Sequence, residues 1–500
     1  MNHGLILPIL LPMLAGSLLL VRSYLSLRVK RVLSLIVTWA LLPISIWLLT
    51  QANGGELQLY ALGNWQAPFG IVLMLDRLSA LMLVTTAVLA GFAMLYAVRG
   101  DDERGPNFHA LFQFQLLGIN GAFLTGDLFN LFVFFEILLI ASYSLLVYGG
   151  GAQRVKTGVH YVVLNLVASS LFLIGIGILY GLLGTLNLAD LALKIAEADA
   201  ERQPLLAAAG FLLLIVFGLK AAVLPLYFWL PSAYAAATAP VAALFAIMTK
   251  VGLYAIVRVF TLLFGSQAGG LAHLVDGLLW PLAMLTLAAG VIGALAVRSF
   301  ERLIGYLVIV SVGTLLAGIA LGTAASLSGA LFYLIHSSWI CAALFLLADL
   351  VARQRGDLRG RLRTGPRLGN PLLLGALFFI AAVSVAGLPP FSGFLGKVML
   401  LRAAGAGQQA LELWPVVLIG GLGMLVALSR AGSVLFWRTM DDAAPRAELD
   451  RVRALATIGL LACSPLLVVA AQPVYAYTQA TAQQLLDVGA YLQLVRGGGA

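Results

Sequence analysis

The sequence predicts an all-α polytopic membrane protein with about fourteen transmembrane helices. Three observations predict it. Apolar types make up 61% of the residues and charged types 10%, where an ordinary globular chain carries roughly 25% charged residues. Apolar runs of about 20 residues, the length that crosses a bilayer core, recur from one end of the chain to the other. Lysine and arginine gather in every second connection between those runs, as they do when basic loops stay on the cytoplasmic side.

The runs span roughly 5–21, 32–50, 78–97, 109–124, 128–148, 158–183, 205–230, 240–263, 271–296, 303–322, 327–350, 371–401, 414–436 and 454–477. The first could pass for a secretion signal. Its positive residues (Arg22, Arg28, Lys30, Arg31) follow it rather than precede it, so it is expected to be a retained helix. The seventh run contains Pro225, and the twelfth contains Gly387-Leu388-Pro389-Pro390; both are expected to be broken helices. The odd-numbered connections carry Arg28, Lys30 and Arg31; Arg99 and Arg104; Arg154 and Lys156; Arg298 and Arg302; Arg353, Arg355, Arg359, Arg361, Arg363 and Arg367; and Arg438, Arg446, Arg451 and Arg453. The even-numbered connections and tails carry Lys194, Arg202 and Arg496. This pattern predicts both termini on the outer side.

Spans 4–8 and 9–13 each contain five helices. An odd number inverts the second unit relative to the first, and each unit has a fourth span with lysine and proline. The expected organisation is therefore an N-terminal group of three helices (1–108), a first five-helix repeat (109–263), an inverted second repeat (271–438) and a C-terminal helix and tail (451–500).

The net charge of +9 is explained by the loops, so nucleic-acid binding is not expected. Cys341 and Cys463 lie inside apolar runs and read as packing residues, not as a disulfide or a metal site. Phosphate loops, nucleotide fingerprints and haem-ligand pairs are missing from the sequence, so no cofactor is expected and any redox centre would belong to a partner.

Charged groups near a helix centre cost roughly 2.5–3.5 kcal/mol on insertion scales, so a chain that keeps several has a use for them. Glu136 lies mid-span in an apolar run from Leu128 to Ile140. Lys220 precedes Pro225, which cannot donate to the carbonyl of Ala221 and leaves it for water or an ion. Lys250 follows Thr249 in the next span. His336 stands beside Ser337 and Ser338, and Lys397 follows the Pro-Pro break. Each could instead be structural: an ion pair for Glu136, an anchor for Lys250, a satisfied core histidine for His336. Arg77, Arg258 and Arg402 are nearer span ends and are expected to snorkel. Asp76 and Asp127 are expected to cap helices, and Glu412, Glu197, Asp199 and Glu201 to be solvated.

Four segments carry a family resemblance. Gly126 to Ile137 (Gly-Asp-Leu-Phe-Asn-Leu-Phe-Val-Phe-Phe-Glu-Ile) resembles the fifth helix of the D subunit of Mrp-type cation/proton antiporters. Lys220 to Pro231, Leu244 to Arg258, and Gly387 to Lys397 resemble that family's broken seventh, its eighth and its broken twelfth helix. The wider superfamily includes the antiporter-like subunits of respiratory complex I. The resemblance implies a polar axis of Glu136, Lys220, Lys250, His336 and Lys397 along the membrane midplane, with Glu136 and Lys220 as a coupled pair and Lys397 as the terminal group. It also implies a subunit of a hetero-oligomeric antiporter in a bacterial cytoplasmic membrane, exchanging sodium for protons with other membrane subunits. Many superfamily members have a lysine four residues after the histidine; here that position is Ile340. The competing expectations are a proton-pumping subunit of a redox-driven complex, an inorganic-carbon uptake module on the same fold, and a structural scaffold.

Overall fold

The computed structural model describes residues 3–22, 24–65, 70–440 and 448–497, the last five without their side chains. Apolar runs without charges can satisfy their backbone polar groups in lipid only within a helix, and the chain folds accordingly. In chain order the helices are α1 (Leu7–Val21), α2 (Leu27–Asn53), α3 (Arg77–Ala97), α4 (Phe108–Leu124), α5 (Leu128–Leu146), α6 (Ala152–Leu183), α7 (Leu188–Ala196), α8 (Gln203–Ala221), α9 (Leu230–Ala236) and α10 (Ala239–Phe245). They continue with α11 (Met248–Leu262), α12 (Asp276–Ala296), α13 (Phe300–Ala320), α14 (Ala324–Arg353), α15 (Pro371–Ala386), α16 (Ser392–Ala403), α17 (Gln408–Gly432), α18 (Arg451–Val469), α19 (Ala471–Leu486) and α20 (Val488–Gly497).

Among the described residues, twelve helical segments are long and apolar enough to cross a membrane. The other two expected spans are α4, with 17 residues, and the interrupted pair α15–α16. The amphipathic helix α7 in the sixth connection was not expected. Asn187 caps it by accepting from the N–H groups of Ala189 and Asp190.

Burial sorts the helices. The segment of α10 and α11 is wholly buried and α14 nearly so, while only a third of α2 and of α17 is covered by the rest of the chain. Central helices thus touch protein on all sides, and outer ones present Ile36, Leu418, Ile419 and Leu422 to their surroundings. Glycines let neighbours approach. An added Cβ on Gly313 would lie 2.7 Å from Leu287 Cα, so α12 and α13 pack nearly backbone to backbone there.

The odd connections meet on one face. Arg31 pairs with Asp102 at 2.7 Å, Arg99 with Asp450 at 2.8 Å, and Arg353 and Arg453 with Asp101 at 3.2 and 3.1 Å. Leu362 N–H donates to Arg298 O at 2.9 Å. Burial pushes the Asp102 carboxyl up, but hydrogen bonds from Arg31 and His109 outweigh it and hold the group at about 2. These arginines therefore build a folded face. Arg355 is 2% exposed and donates to the carbonyls of Arg359, Arg361 and Arg363. Arg446 and the side chain of Arg496 lie outside the described residues. On the opposite face, strands β1 (Gln58–Ala61) and β2 (Val72–Leu75) form an antiparallel pair, and Gly126 N–H donates to Val72 O.

Cys341 and Cys463 are buried free thiols. Asp76 caps α3 through the N–H of Ser79, and Asp127 caps α5 through the N–H of Asn130. Arg402, Glu412, Glu197, Asp199 and Glu201 are exposed. Arg258 does not snorkel. Its side chain is 7% exposed and its Nη1 lies 2.6 Å from Asp76 Oδ2, because the capping carboxylate at the start of α3 offers a charge partner that sequence position does not reveal.

Candidate functional site

Two helix breaks organise the site, and both are built the same way. α8 stops where Ala222 takes a left-handed conformation (φ 60°); Val223 N–H then bonds Gly218 O and Ala222 N–H bonds Leu219 O. α15 stops where Gly387 does the same (φ 81°), with Leu388 N–H on Val383 O and Gly387 N–H on Ser384 O. These are Schellman caps, which satisfy the last carbonyls of a helix and turn the chain out of it. Proline follows within three residues in each case and prevents continuation.

Lys220 sits two residues before the first break and is 5% exposed. Its Nζ donates to Asn165 Oδ1 on α6 at 3.1 Å and lies 5.9 Å from the centre of the Phe135 ring. Asn165 is itself held, because its Nδ2 donates to Tyr161 O at 2.8 Å and thereby turns its oxygen toward the lysine. One helical turn further along α6, Ser169 donates to Glu136 Oε1. Glu136 is only half-buried, and no salt bridge joins it to Lys220 among the described residues. The two groups are bridged through α6, which stands between α5 and α8 and presents one polar group to each. The Glu136 carboxylate still lies within electrostatic reach of Lys220.

Lys250 is fully buried on α11 and donates to Ser311 Oγ on α13 at 3.1 Å. Gly252, two residues on, lies against the end of α8; an added Cβ there would meet Lys220 C at 2.9 Å. α8 and α11 therefore hold their lysines on two helices in close contact. Thr249 Oγ1, next to Lys250, is buried without a partner.

His336 is 1% exposed on α14. Its Nδ1 meets Ser392 Oγ at 2.8 Å, and its Nε2 is buried without a partner. Both Lys250 and Lys397 lie within electrostatic reach of the ring. Ile340 is one turn away, 1% exposed and apolar, so it contributes no titratable group. Lys397, 6% exposed on α16, reaches back across the second break and donates to Ala386 O at 2.7 Å, one of the last carbonyls of α15.

The five residues thus fall on α5, α8, α11, α14 and α16. Lys220 and Lys397 adjoin the two breaks, and Lys250 and His336 lie on the most buried helices, α11 and α14. Asn165, Ser169, Ser311 and Ser392, which contact four of the five, were not foreseen. The spacing of Asn165 and Ser169, four apart in the apolar middle of α6, was the available signal, since it puts both on one face. Ser311 and Ser392 carried none that separates them from other serines in the chain.

Chemically, the arrangement can hold and pass protons. Buried amines and an imidazole with hydroxyl and amide partners are exchangeable proton carriers, and caps at the breaks leave backbone polar groups near them.

Residues 125–423 match the family model described as NADH:quinone oxidoreductase/Mrp antiporter, transmembrane region. The chain is 42% identical over 520 residues to the D component of a probable K(+)/H(+) antiporter of Rhizobium meliloti (strain 1021), covering 97% of this chain and 96% of that one. It is 41% identical over 440 residues to the D component of the Na(+)/H(+) antiporter of Bacillus subtilis (strain 168), covering 87% of each. Its fold matches a chain in the structure of the Mrp complex from Dietzia sp. DQ12-45-1b with a TM-score of 0.87 at 27% identity, covering 99% of this chain and all of that one.

Proposed function

The chain belongs to the NADH:quinone oxidoreductase/Mrp antiporter family, and from that premise we propose that it is the proton-translocating D-type subunit of a multisubunit monovalent cation/proton antiporter. The observation that carries this reading is the row of Lys220, Lys250, His336 and Lys397, each less than 7% exposed, at and between two helix breaks.

In this reading a proton is held at Lys220, whose amine Asn165 orients. Glu136 acts through its field across α6, not through contact. Movement of the Glu136 carboxylate, or its protonation, weakens the hold on the Lys220 proton and releases it. The proton then passes through Lys250 and His336 to Lys397, with water carrying it where side chains do not touch. Units 109–263 and 271–438 act as inverted repeats around this axis, a reading that the matching caps at Ala222 and Gly387 support.

The two relatives are called components of a sodium/proton and a potassium/proton antiporter, so the cation is of the monovalent alkali class, with sodium the one we assign. The working form is a complex with other membrane subunits in a bacterial cytoplasmic membrane. Its arginine-paired face is cytoplasmic and both termini are outside. The alternative, a proton-pumping subunit of a redox-driven complex, uses the same residues with another energy source; the family covers both, and the names of these two relatives favour the antiporter.

The test is cation-driven proton movement in vesicles bearing the whole complex, with sodium and potassium each supplied. Glu136→Ala and Lys220→Ala should each abolish exchange while the complex still assembles. Full exchange in either assembled variant would refute the assignment.

A further inference from the structure

A serine or threonine inside a membrane helix ordinarily satisfies its hydroxyl on a carbonyl of its own helix, three or four residues back. This chain follows that habit widely. Thr85 bonds Leu81 O, Ser170 bonds Leu166 O, Thr314 bonds Val310 O, Ser338 bonds Leu334 O and Thr457 bonds Arg453 O. Two serines depart from it, and a third, at the very start of a helix, joins them. Ser384 at the end of α15, Ser392 at the start of α16 and Ser464 on α18 bond one another instead. Ser384 Oγ lies 2.7 Å from Ser464 Oγ, and Ser464 Oγ lies 2.8 Å from Ser392 Oγ. Ser392 Oγ then lies 2.8 Å from His336 Nδ1. Ser384 and Ser392 are fully buried, and Ser464 is 4% exposed.

We propose that Ser392, Ser464 and Ser384 form a hydroxyl relay that carries the proton from His336 to the second helix break, where Lys397 stands. It does so in place of the lysine that this chain lacks at Ile340. The inference rests on the transport reading above and adds three residues to it. One of them, Ser464, lies on a helix outside both five-helix units.

The chemistry balances at every link. A proton arrives at the unpartnered Nε2 of His336, and the ring becomes an imidazolium. Nδ1 gives its proton to Ser392 Oγ as the Ser392 hydroxyl proton passes to Ser464 Oγ. The Ser464 proton passes to Ser384 Oγ, and the Ser384 proton leaves through one water to the neutral amine of Lys397. One proton enters at Nε2 and one arrives at Nζ. Each oxygen ends with one hydrogen, as it began; rotation of the three hydroxyls, together with return of the ring from the Nε2–H to the Nδ1–H tautomer by proton exchange through water, restores the starting direction. The geometry favours this route. Lys397 donates to Ala386 O, two residues past Ser384. Gly393 lets the imidazole come close to the end of α15, since an added Cβ would lie 2.7 Å from Nε2. Ser464 precedes Pro465, a residue without an N–H, on the helix that supplies the central hydroxyl.

The test again uses the assembled complex in vesicles. Ser464→Ala and Ser392→Ala should each slow cation-driven proton exchange at least tenfold. Ser464→Thr, which keeps the hydroxyl, should retain more than half the wild-type rate. If Ser464→Ala fails to assemble, Ser392→Ala breaks the adjoining link and decides the matter. Alanine variants that keep more than half the rate overturn the relay, and so does equal impairment by alanine and threonine, which marks a packing role. If Lys220→Ala abolishes exchange while the serine variants do not, the relay fails and the transport reading stands. If Lys220→Ala is itself silent, the transport reading fails first.

Discussion

Asn165 is the residue whose removal tests the bridged arrangement most directly. Its amide is pinned by Tyr161 O at 2.8 Å, and its oxygen receives Lys220 Nζ at 3.1 Å. Hydrogen bonds to a charged group contribute about 1.5–3 kcal/mol net. Asn165→Ala deletes the acceptor and leaves the amine, 5% exposed, without that stabilisation. Each 1.36 kcal/mol is a factor of ten in rate, so if the charged lysine is an obligatory state of the cycle, exchange should slow about ten- to a hundredfold. The assay is the initial rate of sodium-driven proton movement, read by a pH-sensitive dye in vesicles, with assembly checked on the same preparation. Ser169→Ala, which frees Glu136, should slow exchange as well. Because both groups act through α6 on one pair of charges, the double variant should lose less than the product of the two single effects. An assembled Asn165→Ala complex that keeps more than half the wild-type rate would refute the bridge, and strictly multiplicative losses would refute the coupling.

Two predictions concern stability. Arg258→Met leaves the Asp76 carboxylate, 2% exposed, without its partner at 2.6 Å; breaking a buried pair from one side costs about 3–5 kcal/mol. The variant should lower Tm in detergent markedly, and adding Asp76→Asn should recover part of the loss, so a double variant less stable than Arg258→Met would contradict the pairing. Asp102 is held at about 2, below the ordinary 3.8, so its contribution is complete above the ordinary value and lost as pH falls through the lower one. The Tm gap between the wild type and Asp102→Asn should therefore be constant at neutral and mildly acidic pH and close as pH approaches about 2; a gap independent of pH across that window would count against the pairing with Arg31 and His109.

The residues legible in the sequence were those whose cost in lipid is large. A lysine or glutamate in an apolar run announces itself because it would not persist without a use, and Gly387 and Pro225 announce chain breaks because helices cannot pass them unchanged. α8 ends at Ala221 and α15 at Ala386, close to where those signals stand. The residues that connect the charges were far less legible, the spacing of Asn165 and Ser169 being their one signal. Asn165, Ser169, Ser311 and Ser464 are cheap in a membrane helix, and whether a hydroxyl serves its own helix or a neighbour is decided by rotation and packing, which composition does not record. Arg258 was misjudged for a related reason. Its position near a span end allowed snorkelling, and only the fold brings it to Asp76, which the sequence offered merely as a cap.

The two halves of the proposed axis differ in a way that assigns them different work. The first half contains Glu136, a carboxylate within reach of Lys220. In the second half, Asp276, Glu301, Asp349, Asp357 and Glu412 stand at helix ends or in loops, and His336 is faced by Lys250 and Lys397. A charge on His336 is therefore repelled from both sides when those lysines are charged, with no carboxylate between them to offset it. In the proposed axis His336 therefore passes a proton on. Neutral serine hydroxyls suit that task, because they move a proton without holding a charge of their own, whereas a carboxylate there would trap it. On the proposed reading, the switch belongs to the Glu136–Asn165–Lys220 end, where a change of one charge alters a neighbour's affinity. The His336–Ser392–Ser464–Ser384 end follows whatever the switch releases. Removing a charge of the first half should then abolish exchange, whereas variants in the serine chain should slow it while leaving its dependence on the cation gradient intact.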